Sequence, residues 1–119
     1  MSVSISLQDG FFRSVQTAET VGTITGSTLD FDTGNVFSHG YSANVTFVFS
    51  NPPANGISFG FTLKITPSGT RTVTWPNSVD WASSTAPDAP ASGATNVYSF
   101  YTFNGGTTYY GFLAGAAMG

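Results

Sequence analysis

The sequence predicts an all-β protein: a single-domain antiparallel β-sandwich, jelly-roll-like, over residues 1–119. Three observations carry this expectation. Apolar and polar side chains alternate in short runs, as in strands with one buried face. Clusters of Gly, Pro, Asn and Ser separate those runs at the spacing of a sandwich or barrel. No stretch of about eleven residues or more carries apolar positions at helical spacing, and 14 Gly and 6 Pro oppose helix throughout.

The elements follow in order. Val3, Ile5 and Leu7 alternate with Ser2, Ser4 and Ser6, which reads as a half-buried strand ending at the turn pair Asp9-Gly10. Phe11 to Val15 suggests a short second strand. Val21–Ile24 and Leu29–Phe31 are short runs split by Gly26-Ser27. Asn35–Tyr41 is ambiguous, because Gly40 interrupts it and Gly34 precedes it. Asn44–Phe49 is a strong strand with Val45, Phe47 and Phe49 on one face, closed by Asn51-Pro52-Pro53-Ala54-Asn55-Gly56. Ser58–Ile65 is the clearest strand: Phe59, Phe61, Leu63 and Ile65 form one large apolar face, which suits a sheet packed on a second layer.

After the turn Pro67-Ser68-Gly69, Thr70–Trp75 alternates Arg71, Val73 and Trp75 against threonines. The stretch 76–94 is rich in Pro, Ala, Ser and Asp and reads as a surface loop pinned by Trp81. Val97–Phe103 and Thr107–Leu113 form a hairpin, with Tyr109 and Tyr110 on opposite faces. Asn104-Gly105 has the residue types of a type I′ turn, and Gly106 allows a longer loop. The strand at residues 1–9 and the small-residue tail 114–119 are candidate interface arms.

Charge narrows the function classes. Charged residues make up 8% of the chain, against roughly 25% in an ordinary soluble domain. Arg13, Lys64 and Arg71 are its only cations, too few and scattered to displace phosphate counterions, so no nucleic-acid partner is expected. With 15% aromatics and so little charge, much of the surface is expected to be covered by other copies or partners. There is no Cys, so neither a disulfide nor a thiolate metal site is available. The first ten residues lack the basic start and apolar run of an export signal, and no run reaches the ~18 apolar residues of a membrane helix. A soluble chain with no membrane partner is expected.

Chemistry-bearing motifs are sparse, and no enzyme, cofactor or metal site is expected. His39 is the single histidine, and no orienting acid stands beside it, so it reads as a turn residue rather than a base. Asp30 and Asp32 would share a strand face and could act as an acid–base pair or bind Ca²⁺. The pattern lacks the other oxygen ligands of a calcium loop, so a solvated turn is the preferred reading. The sequon Asn44-Val45-Thr46 lies in a strand and reads as incidental. Trp75, Trp81, Tyr98, Tyr101, Tyr109 and Tyr110 read chiefly as core and interface anchors, with a sugar-stacking platform as the alternative.

The run Arg71-Thr72-Val73-Thr74-Trp75-Pro76-Asn77-Ser78-Val79-Asp80-Trp81 resembles a segment of tailed-phage virion proteins, especially those of marine and cyanobacterial phages. So does the hairpin from Asn96-Val97-Tyr98-Ser99-Phe100-Tyr101 through Gly105-Gly106 to Tyr109-Tyr110-Gly111, and Gly34-Asn35-Val36-Phe37 upstream. The resemblance covers residues 28–115. It departs at Ala82-Ser83-Ser84, where a Gly-Gly turn is common, and at Asn96, where Asp is common. It implies a β-structured virion component, most simply a decoration (cement) protein on the outer capsid surface. There it would stabilise the head by bridging capsomers, as a homotrimer bound to the major capsid protein. The alternative is a tail-fibre tip or adhesin that binds host surface glycans. Candidate interface residues are Val3, Ile5, Leu7, Trp75, Trp81 and Tyr109; the strand of the first three either sits in the protein's own sheet, the slightly preferred reading, or adds to a neighbour's sheet edge.

Overall fold

A computed structural model describes residues 19–118. The chain forms the all-β sandwich expected, but a mixed rather than an antiparallel one: four of the seven strand pairs among the described residues are parallel. Its strands are β1 (Ile24–Thr25), β2 (Thr28–Asp30), β3 (Val36–Tyr41), β4 (Val45–Thr46), β5 (Val48–Ser50), β6 (Asn55–Pro67), β7 (Val73–Thr74), β8 (Val79–Trp81), β9 (Thr95–Asn104) and β10 (Tyr109–Met118). One layer is a five-stranded sheet in the order β3-β6-β9-β10-β8. The other consists of the sheet β1-β2-β5 and the pair β4-β7. The expected Val3–Leu7 and Phe11–Val15 strands lie outside the described residues.

Antiparallel pairing runs through the middle of the large sheet, β6 with β9 and β9 with β10. Parallel pairs flank it: β3 beside β6 and β8 beside β10. Long connections separate the strands of both parallel pairs, as parallel pairing requires.

Alternation decides what is buried. On β6, Phe61, Leu63 and Ile65 point inward, and Tyr98 and Phe100 do so on β9. Phe37 and Tyr109 complete that wall, and the second layer sets Leu29, Phe31, Val45 and Phe47 against it. Phe31 lies 4.5 Å from Phe61, and Phe49 meets Phe100 at 5.5 Å, so the layers interlock through aromatic rings. Each fully buried Leu, Ile or Phe contributes about 1.5–3 kcal/mol of transfer free energy.

The structure corrects two local expectations, at Asn44–Phe49 and Val79–Trp81, and resolves two left open, at Asn35–Tyr41 and the last hairpin. Asn44–Phe49 is two strands, because the chain changes partners at Phe47. The Phe47 amide donates to the Thr74 carbonyl, and the next amide, Val48, donates to Ser27. The facing of Val45, Phe47 and Phe49 is unaffected by that switch. Asn35–Tyr41 resolves into β3, which finds a partner in β6 along its whole length. Within 76–94, Val79–Trp81 is a strand rather than loop, because it pairs with Tyr109–Gly111. At the hairpin, the positive-φ residues are Gly105 (φ 69°) and Gly106 (φ 83°), one position later than a turn centred on Asn104-Gly105. Asn104 instead closes the loop, its Oδ1 accepting from the Thr108 amide at 3.0 Å.

Candidate functional site

The same alternation that fills the core sends a second set of aromatics the other way. Tyr98, Phe100 and Thr102 face inward, so Tyr101 and Phe103 face out. Tyr109 and Gly111 face inward, so Tyr110 and Phe112 face out. Register places Tyr110 directly across from Tyr101, and Phe112 across from Ser99. The four outward rings form one cluster. Tyr101 lies 5.2 Å from Tyr110, 5.3 Å from Phe103, and 6.0 Å from Phe112 with planes only 10° apart. Phe103 and Phe112 are each 48% exposed. Cross-strand aromatic pairs contribute about 0.2–1 kcal/mol each, which leaves the solvent exposure of these rings uncompensated.

Charge is almost absent from this face. Among the strands of the five-stranded sheet, Lys64 on β6 and Asp80 on β8 are the only Lys, Arg, Asp or Glu, and His39 on β3 shares the inward phase of Phe37 and Tyr41. Lys64 and Asp80 point outward, because Leu63 and Ile65 beside Lys64, and Val79 and Trp81 beside Asp80, pack inward. Exposed apolar rings are thus grouped on a face with little charge, where most monomer surfaces scatter them singly.

The sequence candidates fall in other places. Tyr109 is buried at 2% exposure, inside the sandwich. Its strand position puts it on the core face, so it offers no free interface. Trp75 and Trp81 are half-buried and pack against the core, Trp75 on Tyr98 at 4.9 Å and Trp81 on Phe100 at 5.6 Å. Tyr98 is fully buried. Val3, Ile5 and Leu7 lie outside the described residues. Tyr101 and Tyr110 alone of the six-aromatic set reach the outer face. Phe103 and Phe112 were not singled out from sequence. The signal for them was present, because Val97–Phe103 and Thr107–Leu113 each carry aromatic residues at both alternating phases.

His39 lies in β3 rather than in a turn. Its ring stacks on Tyr41 at 5.9 Å and meets Phe47 edge-on, and burial lowers its pKa. Asp30 and Asp32 do not share a strand face. β2 ends at Asp30, whose Oδ1 accepts from the Asp32 amide at 3.0 Å and from Asn51 Nδ2 at 2.9 Å. That is the solvated turn, in which Asp30 caps its own backbone. Among the described residues no three His, Asp or Glu side chains are grouped to hold a metal ion.

The C-terminal half of β10 has a free side. β8 accompanies β10 only from Tyr109 to Gly111, so beyond Phe112 one edge lacks a strand partner among the described residues. Register shifts after Leu113 and Gly115 bend this edge, which blunts it against uncontrolled pairing. A groove of about 420 Å³ lies beneath it, between Leu113 and the loop carrying Pro87 and Pro90.

Comparison with family models, curated proteins and solved structures finds no match to this chain.

Proposed function

We propose that this chain is a structural component of a bacteriophage particle: a decoration protein that sits on the outer capsid and braces neighbouring capsomers. The resemblance of residues 28–115 suggests the particle. The observation that carries an assembly role is the outer aromatic cluster of Tyr101, Phe103, Tyr110 and Phe112 on a sheet face with two charges. Desolvating such a face costs little, because few ions lose water, and it returns apolar burial from every ring. The partners in this reading are other copies of the chain and the major capsid protein.

The test uses capsids assembled without this protein. The purified chain is added back, and occupancy is counted by electron microscopy. The variant Tyr101→Ser/Phe112→Ser keeps the core intact and is expected to lower occupancy at least about tenfold, from the lost burial of two rings. Full occupancy by a correctly folded variant removes the reading.

A second reading has its own observation. Tyr101 and Tyr110 stand side by side at 5.2 Å with their rings on the outer face, as a glycan-stacking platform at a tail-fibre tip would need. Binding of the isolated chain to a glycan array, lost on Tyr101→Ala, favours it over decoration.

A further inference from the structure

The two charges on the outer face lie across a diagonal, Lys64 on β6 with β3 beyond it and Asp80 on the margin strand β8. Lys64 is in register with Val97 on β9. Asp80 is in register with Tyr110 on β10, and through it with Tyr101 and Gly60. The pair is therefore separated by three strand spacings and by the four residue steps from Gly60 to Lys64, a diagonal of roughly 20 Å. They are too far apart to pair with each other. The midpoint of the diagonal falls between β9 and β10 in the row that holds Ser99 and Phe112.

We infer that this face packs against the same face of a second copy, about a two-fold axis beside Ser99 and Phe112, with Lys64 of each copy opposite the partner's Asp80. A two-fold contact must be self-complementary: residue i meets j, and j meets i. One cation and one anion at the two ends of a diagonal, on a face whose described strands carry no other Lys, Arg, Asp or Glu, satisfy that condition twice. Phe112, exposed and nearest the axis, meets its own copy, and the other rings fall on the small polar side of the sheet around Thr62 and Ser99. A rotation that opposes like ends leaves both charges repelled and is disfavoured.

The size of the face sets the strength. Five strands about 4.8 Å apart, over about seven residues, give a face of roughly 500 Å² in projection. Two such faces bury on the order of 1,000 Å², the lower margin for a specific interface. The contact is thus weak between isolated copies and strengthened where neighbours are held close. The inference rests on reading the outer face as an association surface and names its partner as this chain. It is two-fold, where the virion resemblance implies a trimer.

The experiment measures self-association of the full chain by sedimentation equilibrium, for wild type, Lys64→Glu, Asp80→Lys and the double variant. All four are checked for folding by circular dichroism and melting temperature. Each single reversal sets like charges together at two symmetric points and is expected to weaken dimerisation at least about tenfold. The double variant restores the opposite pairing and is expected to return to within about threefold of wild type. Recovery in the double variant is an outcome that a merely structural role of either side chain does not produce. Failure of the double variant to recover overturns the inference. So does a trimer indifferent to both charges, or a monomer at every concentration, the result expected if residues 1–18 of the same chain cover the face. If the dimer is absent but capsid occupancy persists, the two-fold contact fails and the decoration reading stands. If the dimer forms but capsids never take up the chain, the reverse holds.

Discussion

Trp81 meets Trp75 edge to face, with ring centroids 5.3 Å apart and planes at 65°. One ring comes from the short strand β8 at the margin of the large sheet, the other from the segment following β7 in the opposite layer. Their contact closes one side of the sandwich over Tyr98 and Phe100. Trp81→Ala is expected to lower unfolding free energy by about 3 kcal/mol, through lost burial and the cavity left behind. A denaturant midpoint within error of wild type would show that β8 contributes no such closure.

Gly111 lies in β10 directly under that contact. A Cβ there would stand 2.9 Å from both Trp81 Cζ3 and Val79 Cγ1. Gly111→Ala is expected to push β8 outward and cost about 1–3 kcal/mol, the usual penalty of overpacking. Thermal unfolding measures it, and the accompanying change in Trp fluorescence reports the displaced ring.

Among the described residues, the Tyr41 hydroxyl is buried with no hydrogen-bond partner. Burial, and secondarily the nearby Tyr98, pushes its pKa up to about 12 from 10.0. Burial raises Tyr98 and Tyr109 as well, with the Asn96 hydrogen bond partly opposing the shift at Tyr98. The unfolded chain therefore releases these protons at lower pH than the folded one. Stability is full below about pH 10 and falls as pH rises towards 12. Tyr41→Phe is expected to match or exceed wild type at neutral pH, by up to about 1 kcal/mol, because it removes an unsatisfied polar group. It is also expected to lose less stability between those limits. Urea titrations at neutral and alkaline pH test both statements.

Asn96, at 4% exposure, joins two strands. Its Nδ2 donates to Tyr98 Oη at 3.2 Å, and its Oδ1 accepts from the Ala117 amide at 3.0 Å. Asn96→Leu strands the Ala117 amide and is expected to cost about 1–3 kcal/mol. The end of β10 should then exchange its amide hydrogens faster than β9 does, which hydrogen-exchange mass spectrometry resolves.

Ser83 and Ser84 both hold φ at 56°, in the left-handed region that glycine adopts without cost. Ser84→Gly is expected to relieve strain and raise stability by up to about 1 kcal/mol. A lower melting temperature would count against strain at this turn.

Much of the large sheet was legible in sequence because its strands alternate strictly. Phe59, Phe61, Leu63 and Ile65 announce both an element and its buried face, and the hairpin of β9 and β10 is marked by Asn104 and its glycines. Val79–Trp81 was hidden, because a three-residue strand has no period to detect and its partner lies some thirty residues on. The outer aromatic cluster was half legible. Tyr101, Tyr109 and Tyr110 read alike in the sequence, as core or interface anchors or as a platform, yet only Tyr101 and Tyr110 reach the outer face and Tyr109 is core. Their separation depends on which phase of the hairpin faces the core, and a shift of one residue inverts it.

The sequence alone determined the strand-forming character of the chain, the apolar phase of its strongest strands, and its scarcity of charge, because these are local properties of side chains and their spacing. Only the tertiary structure decided which aromatics stay in water, which strands lie parallel, and where Lys64 and Asp80 stand relative to each other. Those relations join residues far apart in the chain, and the register between β6, β9, β10 and β8 sets them.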